Sequence, residues 1–285
     1  MKKIFVIAAG FFAVATQAQN MDGKLSTPAT TKEGKVVYER TMRMTGAGRI
    51  AGGNIPPEMQ AQIEQQLSKP RISQFELLFT PEHSLYQFLP NAADENNGDA
   101  SFSSGGVNIM MRSPGANEVT YINFAKGNRI YQTEIMEKSF VVTDTLAKLQ
   151  WKLSDETKPI LNFTARKATA TSIGQRPRVS MENGEMKREM VNDTVKVVAW
   201  YTTDVPVPAG PNYAGQLPGL ILELDVNNGQ NVIKAIEFSP KVSANKIKEP
   251  NDGKKLTAAE FAVERDKIME EMRKNMPSRN VIRMQ

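Results

Sequence analysis

The 285-residue chain contains no cysteine, which removes disulfides, thiol nucleophiles and zinc–thiolate sites together. Packing alone must hold it in shape. It carries a single histidine, so any histidine-based metal site or Ser-His-Asp triad has to include His83. That residue stands in Thr80-Pro-Glu-His-Ser-Leu85, which reads as a surface turn between two strands with no base-orienting pattern around it. Long apolar runs are missing as well. The longest, Ile4 to Ala15, spans about 12 residues, against the ~20 that a membrane-crossing helix needs. Charge of either sign is in small excess: Lys2 and Lys3 supply two of the formal +5, leaving +3 for the rest, too mild for a nucleic-acid partner. No P-loop, G-x-G-x-x-G, G-x-S-x-G or H-E-x-x-H is present.

What is there begins with Met1-Lys-Lys, the apolar run and Thr16-Gln-Ala18, the three parts of a secretory signal peptide. Residues 1–18 are expected to be removed, with cleavage after Ala18, and no cysteine follows to carry a lipid anchor. The remainder is then exported and not membrane-spanning. Residues 19–33 are polar without apolar period and read as a flexible leader.

From residue 34 to 247 the chain reads as one antiparallel β domain. In Gly34–Met44, Val36, Tyr38, Arg40, Met42 and Met44 share one face, and Arg40 breaks its apolar character. A glycine-rich break and Pro56-Pro57 precede a short helix near residues 57–68, with Met59, Ile63 and Leu67 four apart. Strands are expected over 74–79, 84–88, 119–124, 128–136, 138–143, 149–153 and 160–173. Residues 91–115 are rich in Asn, Asp, Ser and Gly and read as a long exposed loop, with Phe102 and Met110-Met111 as candidates for a short added strand. Residues 174–193 form a hairpin excursion tipped by Asn183-Gly184, and strands at 194–202, 220–226 and 231–238 complete the sheet. Short spacing between strands argues for an antiparallel meander. A polar segment at 248–255 leads to a C-terminal helix, 256–276, opened by the capping box Thr257-Ala-Ala-Glu260 and ended by Pro277; residues 277–285 are a tail. The fold class is mostly β (α+β): a single curved antiparallel sheet or half-barrel with two helices.

The stretch around which these strands are arranged is Asp204–Asp225. Pro218-Gly219 fits the centre of a type II turn, with glycine supplying positive φ. Here a resemblance is visible. Gly215-Gln-Leu-Pro-Gly-Leu-Ile221 resembles the motif of the GLPGLI family, with Gln216 in place of that motif's first glycine. Leu149-Gln-Trp151, Ala199-Trp200-Tyr201 with the turn that follows, and Leu77–Tyr86 resemble its other segments. Where family members often carry a cysteine, this chain has Thr164, so no thiol role transfers. The resemblance implies a secreted bacterial protein of unassigned function. It marks Gly215, Gln216, Leu217, Pro218, Gly219, Leu220 and Ile221 as a structural turn and Trp151, Trp200 and Tyr201 as strand positions, none of them catalytic.

For function the leading expectation is a non-enzymatic binding or scaffolding module of the cell envelope, periplasmic or associated with the outer membrane, which needs no cofactor. Its apolar sheet face would take an envelope lipid, peptide or protein. The 15 methionines suggest an alternative, soft-metal (copper) binding by thioethers, with Met42 and Met44 as weak candidates beside Met186 and Met190. A third alternative is an envelope hydrolase using a carboxylate pair such as Asp144 with Asp155-Glu156, a pattern that any chain with 31 carboxylates offers.

Overall fold

The structure, a computed structural model, describes residues 31–43, 65, 69–90, 100–104, 107–111, 118–146, 148–182 and 185–275. Residues 1–18, most of the leader, the tail, Met44 and the helix near 57–68 (Gln65 excepted) lie outside them.

Alternation of apolar and polar residues produces one curved sheet of 12 strands, not closed into a barrel. In chain order these are β1 (Gly34–Met42), β2 (Arg71–Phe79), β3 (His83–Phe88), β6 (Val119–Asn123), β7 (Asn128–Ile135), β8 (Lys138–Thr145), β9 (Lys152–Ile160), β10 (Phe163–Glu182), β11 (Glu185–Thr202), β12 (Leu220–Val226), β13 (Asn231–Ser239) and β14 (Lys254–Thr257). The spatial order is β14-β8-β7-β6-β3-β2-β1-β13-β12-β11-β10-β9, so β1 joins an N-terminal meander to a C-terminal one. All pairings are antiparallel except β14 with β8. β4 (Ala100–Ser104) and β5 (Val107–Met111) form a separate hairpin inside the segment expected as a long loop.

Several expected boundaries are corrected. The strands placed at 149–153 and 160–173 are instead β9 and β10, meeting at a turn where Leu161 takes φ 53°. β9 is the sheet's edge, mostly exposed on both faces, so Ser154–Pro159 shows no apolar alternation, and an edge tolerates Pro159. The linker at 248–255 ends in β14, four residues whose parallel pairing needs no apolar period. The hairpin excursion is real: β10 and β11 pair from Arg166↔Tyr201 out to Glu182↔Glu185, well past Thr169 of β10 and Val197 of β11, where the pairings with Lys152 of β9 and Val226 of β12 end.

The main core lies on one face. Val36 and Tyr38 of β1, Leu77 and Phe79 of β2, Val197 and Ala199 of β11, Leu220, Leu222 and Leu224 of β12 and Ile233 of β13 all pack there. Two pieces of chain cover that face. Residues 203–219 lay Val205, Val207, Ala209 and Leu217 into the core, each 3% exposed or less. The helix α1 (Ala258–Asn275) covers β8 at the other end through Ile268 and Phe261, against Phe140 and Val142. Its capping box forms as expected: Thr257 N donates to Glu260 Oε2 at 2.8 Å and Glu260 N donates to Thr257 Oγ1 at 3.3 Å. Behind the sheet, Leu85, Tyr121, Ile130 and Val141 form a smaller cluster with Ile247, just after the 3-10 turn Ala244–Lys246. Among the described residues no helix is long and apolar enough to cross a membrane.

Candidate functional site

The 203–219 cover is held by its own backbone. Ile221 N donates to Ala209 O at 2.9 Å, Leu220 N to Val205 O at 3.1 Å and Gly215 N to Pro208 O at 2.6 Å. The Pro218-Gly219 turn is therefore not type II. Gly219 N donates to Leu217 O at 2.9 Å, a γ-turn centred on Pro218, and Leu220 N is already committed to Val205. Nor does Gly219 have positive φ; glycine is required because a Cβ there would stand 2.0 Å from the Thr202 carbonyl oxygen. Positive φ belongs to Gly215 instead, at 82°.

Gln216, where the motif departs from its usual glycine, joins two segments. Its Oε1 accepts from Leu149 N at 2.9 Å and Trp151 Nε1 at 3.0 Å, and the Trp151 ring packs edge-on to Tyr213 at 5.7 Å. Trp200 lies elsewhere, with Lys158 Nζ 4.3 Å from its ring centre and Lys158 paired to Glu223 at 2.7 Å. Tyr201, Leu220 and Ile221 are core residues. Of the marked positions, residues 215–219 lie in the cover, Tyr201, Leu220 and Ile221 in the core beneath it, and Trp151 and Trp200 pack against that core, half-buried.

His83 is the first residue of β3 and no isolated turn residue: its Nδ1 lies 2.8 Å from Tyr121 Oη and the rings stack at 5.5 Å. Met42 is half-buried at the end of β1, and Met44 lies outside the described residues. Asp144 is taken by Arg129, and Glu156 by Lys167. Among the described residues no group of three His, Asp or Glu is arranged to hold a metal.

A cavity of about 310 Å³ opens on the core face between the 203–219 cover and the strands that lead to α1. Its floor is an interruption of the apolar face, produced by register. Arg40 replaces the apolar residue expected after Tyr38 in β1; Tyr86 pairs with Thr120 of β6, and Thr120 with Tyr131 of β7. Ile122 brings Arg129 alongside in the same way, and Asn212 hangs over the floor from the cover. Glu118 is the single carboxylate in the lining and is exposed.

Aromatic packing fixes these groups. Tyr86 stacks on Phe75 at 5.1 Å and meets Tyr38 edge-on at 6.2 Å, and Arg129 lies 4.8 Å from the Tyr131 ring centre, whose other neighbour is Phe261 of α1 at 6.3 Å. Arg40 Nε donates to Asn231 Oδ1 at 3.0 Å, and Arg129 Nη2 donates to Asp144 Oδ2 at 2.7 Å. Two polar atoms of this lining are buried with no hydrogen-bond partner: Tyr86 Oη and Arg129 Nε. The Tyr86 ring is only half-buried, but its hydroxyl is shielded, and burial raises the phenol well above the ordinary tyrosine range; the Arg40 charge pulls it down and Glu118 pushes it up by smaller amounts. Burial likewise raises Tyr131, with Arg129 lowering, Asp144 raising and Arg265 lowering it. Buried polar atoms normally find partners, so two orphans bordering one cavity mark it as a site to be filled. Sequence reading missed it. Its one legible sign was Arg40 on an apolar strand face.

Fold and site together define an open β-sheet protein with a small polar pocket beneath a motif-bearing cover. The model of a family described as "Protein of unknown function (Porph_ging)" matches residues 151–223, well under half of the chain, from Trp151 through the cover into β12. Two solved structures of PNGF-II, in C2 and P21 space groups, are each 17% identical with TM-scores of 0.46 and 84% of this chain covered, but the chain spans only 33% and 34% of theirs. LprF from Mycobacterium bovis is 7% identical with a TM-score of 0.27, covering 79% of this chain and 92% of its own. No curated protein matches.

Proposed function

We propose that this chain is an exported, non-enzymatic binding module of the cell envelope, of the GLPGLI type, that takes a small polar ligand in the pocket beneath its 203–219 cover. Export rests on the signal-like segment 1–18, and the GLPGLI assignment on residues 215–221 with their flanking strands. The observation that carries the binding reading is the pair of buried, partnerless polar atoms, Tyr86 Oη and Arg129 Nε, on residues lining one cavity. The cavity lies at the small end of ligand pockets, which run from roughly 300 to 1,000 Å³. An acyl chain laid on the apolar sheet face is less favoured, because the chain's own cover and α1 occupy much of that face. Hydrolysis by paired carboxylates is less favoured too, since Glu118 has no second carboxylate beside it in the lining.

The test is a screen of small polar metabolites, and of an envelope extract, by thermal shift on wild type and Thr120→Trp, which places an indole on the pocket floor. A ligand that raises the wild-type melting temperature and leaves the variant unmoved supports the reading. Failure of every library member and of the extract to shift wild type rejects it.

A further inference from the structure

We infer that the β10–β11 ribbon, away from the pocket, is an assembly arm: the outer edge of β11 takes residues 279–285 of a second copy of this chain as an added antiparallel strand.

Beyond Thr169 and Val197 no strand among the described residues pairs with the ribbon, so both its edges are open there. A two-stranded ribbon is marginally stable by itself, and an open edge invites a further strand. The two edges are not equivalent. β10 and β11 pair without a register shift, so backbone groups alternate strictly between inward and outward. Asn227 N donates to Lys196 O at 2.9 Å on the β12 side, which turns Thr194, Asn192, Met190, Arg188 and Met186 outward as well. Pro177 stands opposite Met190, so its missing N–H falls on the outer edge of β10 and blunts that edge. No proline, glycine or bulge interrupts the edge of β11 from Glu185 to Val195.

The faces of the ribbon select what fits. Ile173 is 77% exposed, and register places Pro177, Val179, Met181, Met186 and Met190 on its face. The opposite face carries Glu185, Glu189 and Asp193 of β11, four residues apart. A matching strand alternates apolar with basic residues. Arg279-Asn-Val-Ile-Arg-Met-Gln285 has Ile282 and Met284 at one parity and Arg279 and Arg283, also four apart, at the other. With Ile282 opposite Met190, antiparallel pairing sets Arg279 against Asp193, Val281 against Val191 and Arg283 against Glu189, and opposes no like charges. A shift of one residue moves Ile282 to the acidic face. A shift of two removes both opposite-charge pairs, and a shift of four toward the turn carries the segment past Glu185.

Reach points to a second copy as donor. Ile268 of α1 still packs on β8, and β11 lies eight neighbours away in the strand order, about 38 Å along the sheet at ~4.8 Å per strand. The rest of α1 to Asn275, with three extended residues after it, spans only about 20 Å.

The chain has no cysteine, so mixtures of single-cysteine variants of the full mature chain read the pairing. Val191 and Val281 would form a non-hydrogen-bonded pair, with Cα atoms about 4.5 Å apart and within disulfide reach. On mild oxidation, Val191→Cys with Val281→Cys should yield at least about tenfold more heterodimer than Val191→Cys with Ile282→Cys, whose thiol stands on the other face. In sedimentation velocity wild type should dimerise, and removal of residues 277–285 should abolish the dimer at unchanged melting temperature. Glu189→Arg should weaken the dimer by about tenfold, and Arg283→Glu added to it should restore the dimer. Equal cross-linking in both mixtures, or no rescue by the exchanged charges, overturns the inference. A wild type that stays monomeric overturns it too, leaving the edge to the chain's own tail or to another protein's extended segment.

Discussion

Two tyrosines in contact, Tyr38 and Tyr86, give opposite expectations for the same Tyr→Phe substitution. Tyr38 is fully buried and donates its hydroxyl to the Ile221 carbonyl at 2.6 Å, linking β1 to the start of β12 across the core. Tyr38→Phe removes that bond and deprives a buried carbonyl of a donor, which costs about 1–3 kcal/mol. The Tyr86 hydroxyl is equally shielded but has no partner, so the folded state already bears its desolvation. Tyr86→Phe should therefore leave stability unchanged or raise it by up to about 2 kcal/mol. At roughly 2–4 °C per kcal/mol for a domain of this size, the two variants should melt about 2–20 °C apart, with Tyr86→Phe the higher. Scanning calorimetry and urea melts of ligand-free protein read this directly. If Tyr86→Phe destabilises as much as Tyr38→Phe, its hydroxyl has a partner within the protein, and the argument that the pocket awaits an acceptor fails.

Other outcomes follow from the same geometry. Gly219→Ala drives a Cβ to 2.0 Å from the Thr202 carbonyl oxygen and should cost more than about 3 kcal/mol, whereas Gly174→Ala, with open space around its Cα, should melt within about 1 kcal/mol of wild type. Gln216→Met strips the acceptor from Leu149 N and Trp151 Nε1; about 1–3 kcal/mol of stability should be lost and tryptophan emission should shift to the red. Burial raises the pKa of both Tyr38 and Tyr86, so the folded state keeps protons that the unfolded state releases above about pH 10. Stability should accordingly be intact below that pH and fall above it by up to about 1.4 kcal/mol per pH unit for each tyrosine. Urea melts between pH 9 and 11 should show a shallower decline in the Tyr38→Phe/Tyr86→Phe double variant, and equal slopes would contradict the burial argument.

Much of the sheet was readable because one buried face imposes a period of two. Val36-Tyr38, Leu77-Phe79 and Leu220-Leu222-Leu224 alternate as a covered sheet requires. β9 and β14 escaped because edge position and short parallel pairing relax that period. Gly219 was found for the wrong reason: a local turn rule pointed to backbone conformation, while the constraint is a neighbour, Thr202, that only the folded chain brings near. The pocket was hidden for a similar cause. Arg40, Tyr86, Arg129 and Asn212 come from β1, β3, β7 and the cover, far apart in the chain and without shared spacing. Arg40, a charge on an otherwise apolar strand face, was the trace they left.

The most direct measurement follows the ζ-carbon signals of the six tyrosines in labelled protein as the tightest ligand from the screen is added. Tyr86 should move most and Tyr131 next. Saturable binding that leaves Tyr86 in place while tyrosines outside the pocket respond, Tyr121 or Tyr213 among them, would contradict the account.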